Sequence, residues 1–202
     1  MKVITKKYEV FSFDELSEKA KENAINSQYD ISNEDYNFTA DADIDDFIIE
    51  LHSKGLKDAK IRYTGFNSQG DGLSFSCSID ILDYIKKNNL MEKYSLIFEY
   101  VSSDRENCDN LYYDISNNGH YCHSFNMRLN NHYSNFIDYE ITDELQREID
   151  ALEKHIIENA IDTADGMYKQ LEKMYYDYMS ADYITERIKE NELTFLADGS
   201  PF

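Results

Sequence analysis

His120, Cys122 and His123, with Cys108 and His132 near them along the chain, are the densest grouping of metal-ligating side chains in these 202 residues. Imidazole and thiolate donors of this kind suit zinc. In an extended strand, though, His120 and Cys122 share a face while His123 points to the other, so the three local donors converge only around a bulge. No metal site is assigned. His52 and His155 sit within helical stretches and have no visible partners. The run Gly65, Phe66, Asn67, Ser68, Gln69, Gly70, Asp71, Gly72 has the glycines of a phosphate cradle but not its order. A phosphate loop reads Gly-x-x-x-x-Gly-Lys-Ser/Thr ahead of a helix, whereas here an Asp occupies the loop and a strand-like run follows it. A hairpin turn is the expected role, with a partner-contacting loop as the alternative. No Ser/His/Asp or Cys/His arrangement stands out, and among 40 carboxylates no pair can be singled out as acid and base. The chain reads as a non-enzyme, without catalytic residues, cofactor or metal.

What the chain has in excess is carboxylate: 40 acidic against 20 basic side chains, for a formal net charge of −20. Direct nucleic-acid binding by simple electrostatics is excluded, because each phosphate contact needs Lys or Arg to displace counterions. The excess is not uniform. Residues 14–50 hold twelve acids against Lys19 and Lys21, residues 51–137 hold ten acids and nine bases, and residues 138–192 hold sixteen acids and six bases. Self-repulsion of this kind opposes a compact state, and solubility needs far less charge. Carboxylates one helical turn apart lie roughly 5 to 6 Å from each other, near the spacing of phosphates along a nucleic-acid strand. A helix so studded can imitate a phosphate backbone; the plainer reading is a solvated face. The residues that would carry the mimicry are Glu34, Asp35, Asp41, Asp43, Asp45, Asp46 and Glu50, with a second group at Glu144, Glu148, Asp150, Glu153 and Glu158.

These side chains need rigid elements beneath them. Lys2 to Phe11 alternates and is β-branched, which predicts a strand, and Glu18 to about Gln28 reads as a short helix with Leu16, Ala20, Ala24 and Ile25 as its apolar stripe. Ile44, Phe47, Ile48 and Leu51 predict a helix over Asp41–Lys54, capped by Gly55. Ile61 and Tyr63, then Leu73, Phe75, Cys77 and Ile79, predict a hairpin about the Gly70–Gly72 turn. A short helix over Asp80–Asn88 follows, then a strand over Tyr94–Val101 and a second hairpin, Leu111–Ile115 and Tyr121–Leu129, about Asn117, Asn118 and Gly119. Apolar residues at steps of three and four predict helix from Thr142 to about Met179, either unbroken or split near Gly166. A helix over Tyr183–Asn191 and a last strand in ELTFLADGSPF complete the chain. The fold class is α+β: a small antiparallel sheet covered by helices, with a long C-terminal helical segment. Residues 1–140 would form the α+β core and residues 141–202 the helical segment with its terminal strand.

Three landmarks, FSFDELSEKAKENA (Phe11–Ala24), YTGFNSQGDGLSF (Tyr63–Phe75) and LTFLADGS (Leu193–Ser200), resemble those of a family of small acidic proteins encoded by bacteriophages and other mobile elements, some of which carry an antitoxin label. That resemblance implies a phage or prophage origin and supplies no reaction or cofactor. Phage proteins that oppose host defence occupy the positive channels their targets keep for DNA or RNA; CRISPR effectors hold a guide–target heteroduplex and an arginine-read duplex in such channels. The expected function is therefore anti-CRISPR or anti-restriction inhibition of a host nuclease. The alternative is a homodimeric, antitoxin-like protein acting through the C-terminal tyrosines Tyr168, Tyr175, Tyr176, Tyr178 and Tyr183, since Tyr is a favoured interface residue. No apolar window approaches 18 residues and no signal peptide is evident, so no membrane is involved. Three cysteines give no disulfide framework, and the expected compartment is the cytoplasm of an infected bacterial host.

Overall fold

The computed structural model describes residues 1–103, 112–117, 119–131 and 142–202. In chain order its elements are β1 (Phe11–Ser12), α1 (Glu18–Asn26), α2 (Tyr29–Ser53), β2 (Leu56–Thr64), β3 (Gly72–Asp80), α3 (Ile81–Lys87), α4 (Ser95–Ser103), β4 (Tyr112–Ser116), β5 (Arg128–Asn131), α5 (Asp143–Tyr178), α6 (Ala181–Glu190) and β6 (Thr194–Phe195). This is the expected α+β class. The chain divides into two compact units, Met1–Asp41 with Leu171–Phe202, and Ala42–Gln170. The divisions fall inside α2 and α5, not in loops.

The first unit joins the two ends of the sequence. Ser17 caps α1 by accepting from the Ala20 N–H, and Glu15 accepts from both the Ser12 N–H and hydroxyl at 2.8 Å. Phe13, Leu16, Ala20 and Ala24 then pack with Ile184, Ile188 and Phe195 in one buried cluster. Gly199, at φ +85°, fits against α1 so closely that any Cβ there would collide with the Ala20 carbonyl. The Asn23 amide also donates to the Asp198 carbonyl at 2.9 Å. The first and last sequence landmarks are thus two sides of one packing arrangement. The strand expected over Lys2–Phe11 is reduced to Phe11–Ser12, and residues 1–10 are exposed without regular structure. A strand needs an edge to pair with. Here β6 offers only Thr194 and Phe195 before the chain turns, with the Leu196 N–H donating to the Ser200 carbonyl.

The second unit holds a four-stranded sheet in the order β2-β3-β4-β5, every pair antiparallel. Alternation gives it one apolar face (Leu73, Phe75, Cys77, Ile79, Tyr113, Ile115) and one polar face (Lys60, Arg62, Ser76, Ser78, Ser116, Arg128). The Tyr113 hydroxyl donates to Glu153 of α5 at 3.0 Å, and Leu152, Ile156, Ala160 and Ala164 of α5 are buried. That helix runs unbroken through Gly166. Gly55, at φ +86°, ends α2 as expected.

Three sequence-based assignments are corrected. Tyr94–Val101 forms no strand, because Ser95–Ser103 is α4: Tyr94, Ile97 and Val101 are buried at steps of three and four, and Glu148 of α5 accepts the Ile97 N–H at 3.1 Å. That long-range acceptor is absent from the local sequence. In Tyr121–Leu129, residues 121–127 form no strand and include a 3-10 turn at Ser124–Asn126, since the Asn117 amide holds the Tyr121 carbonyl and the Ser124 hydroxyl donates to Asp165 at 2.6 Å. Only Arg128–Asn131 pairs with β4; Leu111 and Asn118 lie outside the described residues. Finally, α2 starts at Tyr29, not Asp41. Its buried positions there include Ser32 and Ala40, which a hydrophobic pattern passes over.

Candidate functional site

The histidine and cysteine grouping is set apart by its neighbours. His120 and His123 carry their rings against aromatics, His120 edge-on to Tyr121 at 5.1 Å and His123 stacked on Phe125 at 4.7 Å, while Cys122 is buried. Among the described residues no three His, Cys, Asp or Glu side chains converge as a metal site; Cys108 and His132 lie outside those residues. The glycine-rich loop is the expected hairpin turn between β2 and β3. Asp71 accepts from the Ser68 hydroxyl and N–H at 2.8 and 2.6 Å and from the Asn67 N–H at 2.7 Å, which hold its carboxyl below its ordinary pKa. The Asn67 and Ser68 amides, which a phosphate cradle would need free, are occupied by this carboxylate. A Cβ at Gly70 would meet the Tyr121 ring at 2.7 Å, so that glycine answers a close approach.

The candidate carboxylates separate by what they touch. In the second unit, Glu148 caps α4, Glu153 accepts from Tyr113 and Asn131, and Asp43 accepts from the Gln170 amide at 3.3 Å. Glu50 pairs with Lys54 at 2.7 Å, Glu158 with Lys154 at 3.8 Å, and Asp150 accepts from Gln146 at 2.8 Å. Asp45, Asp46 and Glu144 are exposed, with no cation at ion-pair distance among the described residues. In the first unit, Arg187 reaches Asp35 at 2.8 Å, while Glu34 and Asp41 are exposed, with no partner among the described residues. Five of the twelve candidates therefore have neither a cation nor a hydrogen-bond donor among the described residues, four of them on α2.

One feature of α2 escapes composition and segment counts. Its exposed side carries Ile31 (39% exposed) and Phe38 (82%) in the first unit, and Ile49 (67%) in the second. Tyr36 and Ala40 are buried on the opposite side. Two apolar stripes on one helix were the available signal. The C-terminal tyrosines are mostly engaged: Tyr36 meets Tyr175 edge-on at 5.3 Å, Tyr178 lies 4.7 Å from Tyr183, and the Tyr178 hydroxyl is 2.9 Å from that of Thr39. Tyr168 instead donates to the Gly65 carbonyl at 2.9 Å, and Tyr176 is half exposed. In the second unit a cleft of about 510 Å³ runs between β5 and α5, lined by Arg128, Asp150, Glu153 and Lys154 with Ile157 and Ile161. Its charges are of both signs, and Glu153 is already hydrogen-bonded.

No helix among the described residues is long and apolar enough to cross a membrane. No curated protein and no solved structure matches the chain. Residues 28–182 match the family described as domain of unknown function (DUF8835), and the chain belongs to that family.

Proposed function

We propose that this protein is a phage-encoded inhibitor of a host defence nuclease, of CRISPR-effector or restriction type, and that it occupies the enzyme's basic nucleic-acid groove. The observation that carries the reading is the exposed carboxylates of α2 that have no partner among the described residues: Glu34 and Asp41 in the first unit, and Asp45 and Asp46 in the second. A fold gains nothing from such charge, whereas a cationic groove attracts it at a fast, salt-dependent rate. Within each unit the helix holds its own pair of groups in register, so their entropy is largely lost before binding. The cytoplasm of the infected host is where such a target would be met. A homodimer through the Tyr-rich helix is favoured less, because Tyr175, Tyr178 and Tyr183 are partly buried within their own unit.

The test is a cleavage assay with purified CRISPR effectors and restriction nucleases, each titrated with the protein before its DNA is added. Inhibition should approach one protein per nuclease and weaken steeply between about 50 mM and about 200 mM salt. A panel that cleaves at full rate across that range would end the proposal.

A further inference from the structure

We propose that the exposed ridge of α2 docks into a protein groove that is basic along its walls and apolar at its floor, with Phe38 as the anchor. This rests on the reading above and deepens it, because imitation of phosphates alone calls for no exposed aromatic ring. Ile31, Glu34, Phe38 and Asp41 follow steps of three, four and three residues, which sets them in one line along the first unit's part of α2. Phe38 is the most exposed phenylalanine in the described structure, at 82%, and stands between Glu34 and Asp41, both exposed and with no partner among the described residues. The second unit repeats the chemistry on its own part of the helix, where Ile49 is exposed near Asp45 and Asp46.

Charge decides the occupant. Carboxylates on both sides of the ring repel an anionic membrane surface and nucleic acid alike. A second copy meeting this face across a two-fold axis would set Glu34 and Asp41 against their own equivalents. A cationic groove with an apolar pocket satisfies both parts of the ridge. Burying one phenyl ring in such a pocket is worth about 30- to 100-fold in affinity.

The probes are two synthetic peptides of equal length and equal lysine content, with leucine or glutamine at the remaining positions, titrated by fluorescence against the full chain. The leucine peptide should bind at least about ten-fold more tightly than the glutamine peptide. Phe38→Ser should abolish that preference while leaving the glutamine peptide's affinity unchanged; because the ring is exposed, circular dichroism should show an intact fold. Retention of the leucine preference in Phe38→Ser overturns the anchor. Glu34→Gln with Asp41→Asn should weaken both peptides, and no change there overturns the basic-groove reading independently of the anchor. A wild-type dimer that Phe38→Ser renders monomeric would make a second copy the occupant and overturn the proposal.

Discussion

Replacing Asp45 and Asp46 together by Asn should move stability and binding in opposite directions. Neither carboxylate has a cation at ion-pair distance among the described residues, and Asp46 stands one helical turn before Glu50, a like-charge spacing that costs about 0.2 to 0.5 kcal/mol. More distant carboxylates add to this. At about 10 Å and the dielectric of water, two charges repel by about 0.4 kcal/mol unscreened, most of it kept at about 0.01 M salt and about a third at about 0.15 M. Over the neighbours of both residues, the double substitution should stabilise by about 1 kcal/mol in low salt and about 0.3 kcal/mol at physiological salt. Asp and Asn differ little in helix propensity, so the exchange isolates the charge. Thermal unfolding followed by circular dichroism should show a midpoint raised by about 2 to 4 °C at low salt, the gain fading as salt is added. The same protein should bind the nuclease it inhibits about 5- to 30-fold more weakly, as expected for two lost charge contacts. A lowered midpoint at low salt would show that the two carboxylates serve the fold, and undiminished inhibition would remove them from the binding surface.

Gly199→Ala should destabilise by about 3 kcal/mol or more in urea unfolding, because it adds a left-handed backbone penalty at φ +85° to a collision with the Ala20 carbonyl. Ser32→Ala should stabilise by about 1 kcal/mol, since the Ser32 hydroxyl is fully buried and has no hydrogen-bond partner among the described residues. Burial pushes the Cys77 thiol from its ordinary 9.0 up to about 12. The stability this thiol contributes is therefore present below about pH 9 and lost as pH rises towards 12. Aromatic disulfide reagents at pH 8 should leave native Cys77 unmodified and label it fully in urea, as mass spectrometry of the labelled peptide would show.

Much of the fold was legible because it is local. The Gly55 stop, the turn about Asp71 and the three-and-four spacing along α5 each carry their physics within a few residues. Two of the failures come from partners distant in sequence. The segment Tyr94–Val101 is β-branched and aromatic enough to be a strand, yet α4 forms because Glu148, 51 residues away from Ile97, supplies an acceptor at its first turn. Lys2–Val10 has the composition of a strand and stays unpaired because β6 ends after two residues. In each case the decisive group belongs to another element, and no window along the chain contains it.

The candidate site divides on the same principle. Glu148 and Asp46 are indistinguishable by composition, helical spacing or local charge excess, yet one caps a helix and the other faces water. The net charge of −20 therefore overstates what a basic groove would meet, since Asp35, Glu50 and Glu158 are compensated by Arg187, Lys54 and Lys154. Exposed pairs of this kind contribute about 0 to 1 kcal/mol, so a stronger cationic partner could compete for each carboxylate at little cost. The groups with neither a cation nor a hydrogen-bond donor among the described residues are Glu34, Asp41, Asp45, Asp46 and Glu144. Four of them lie on the one helix that also exposes Phe38 and Ile49. Charge alone would be served by any acidic helix, including the long α5; uncompensated charge together with exposed apolar side chains is what favours α2.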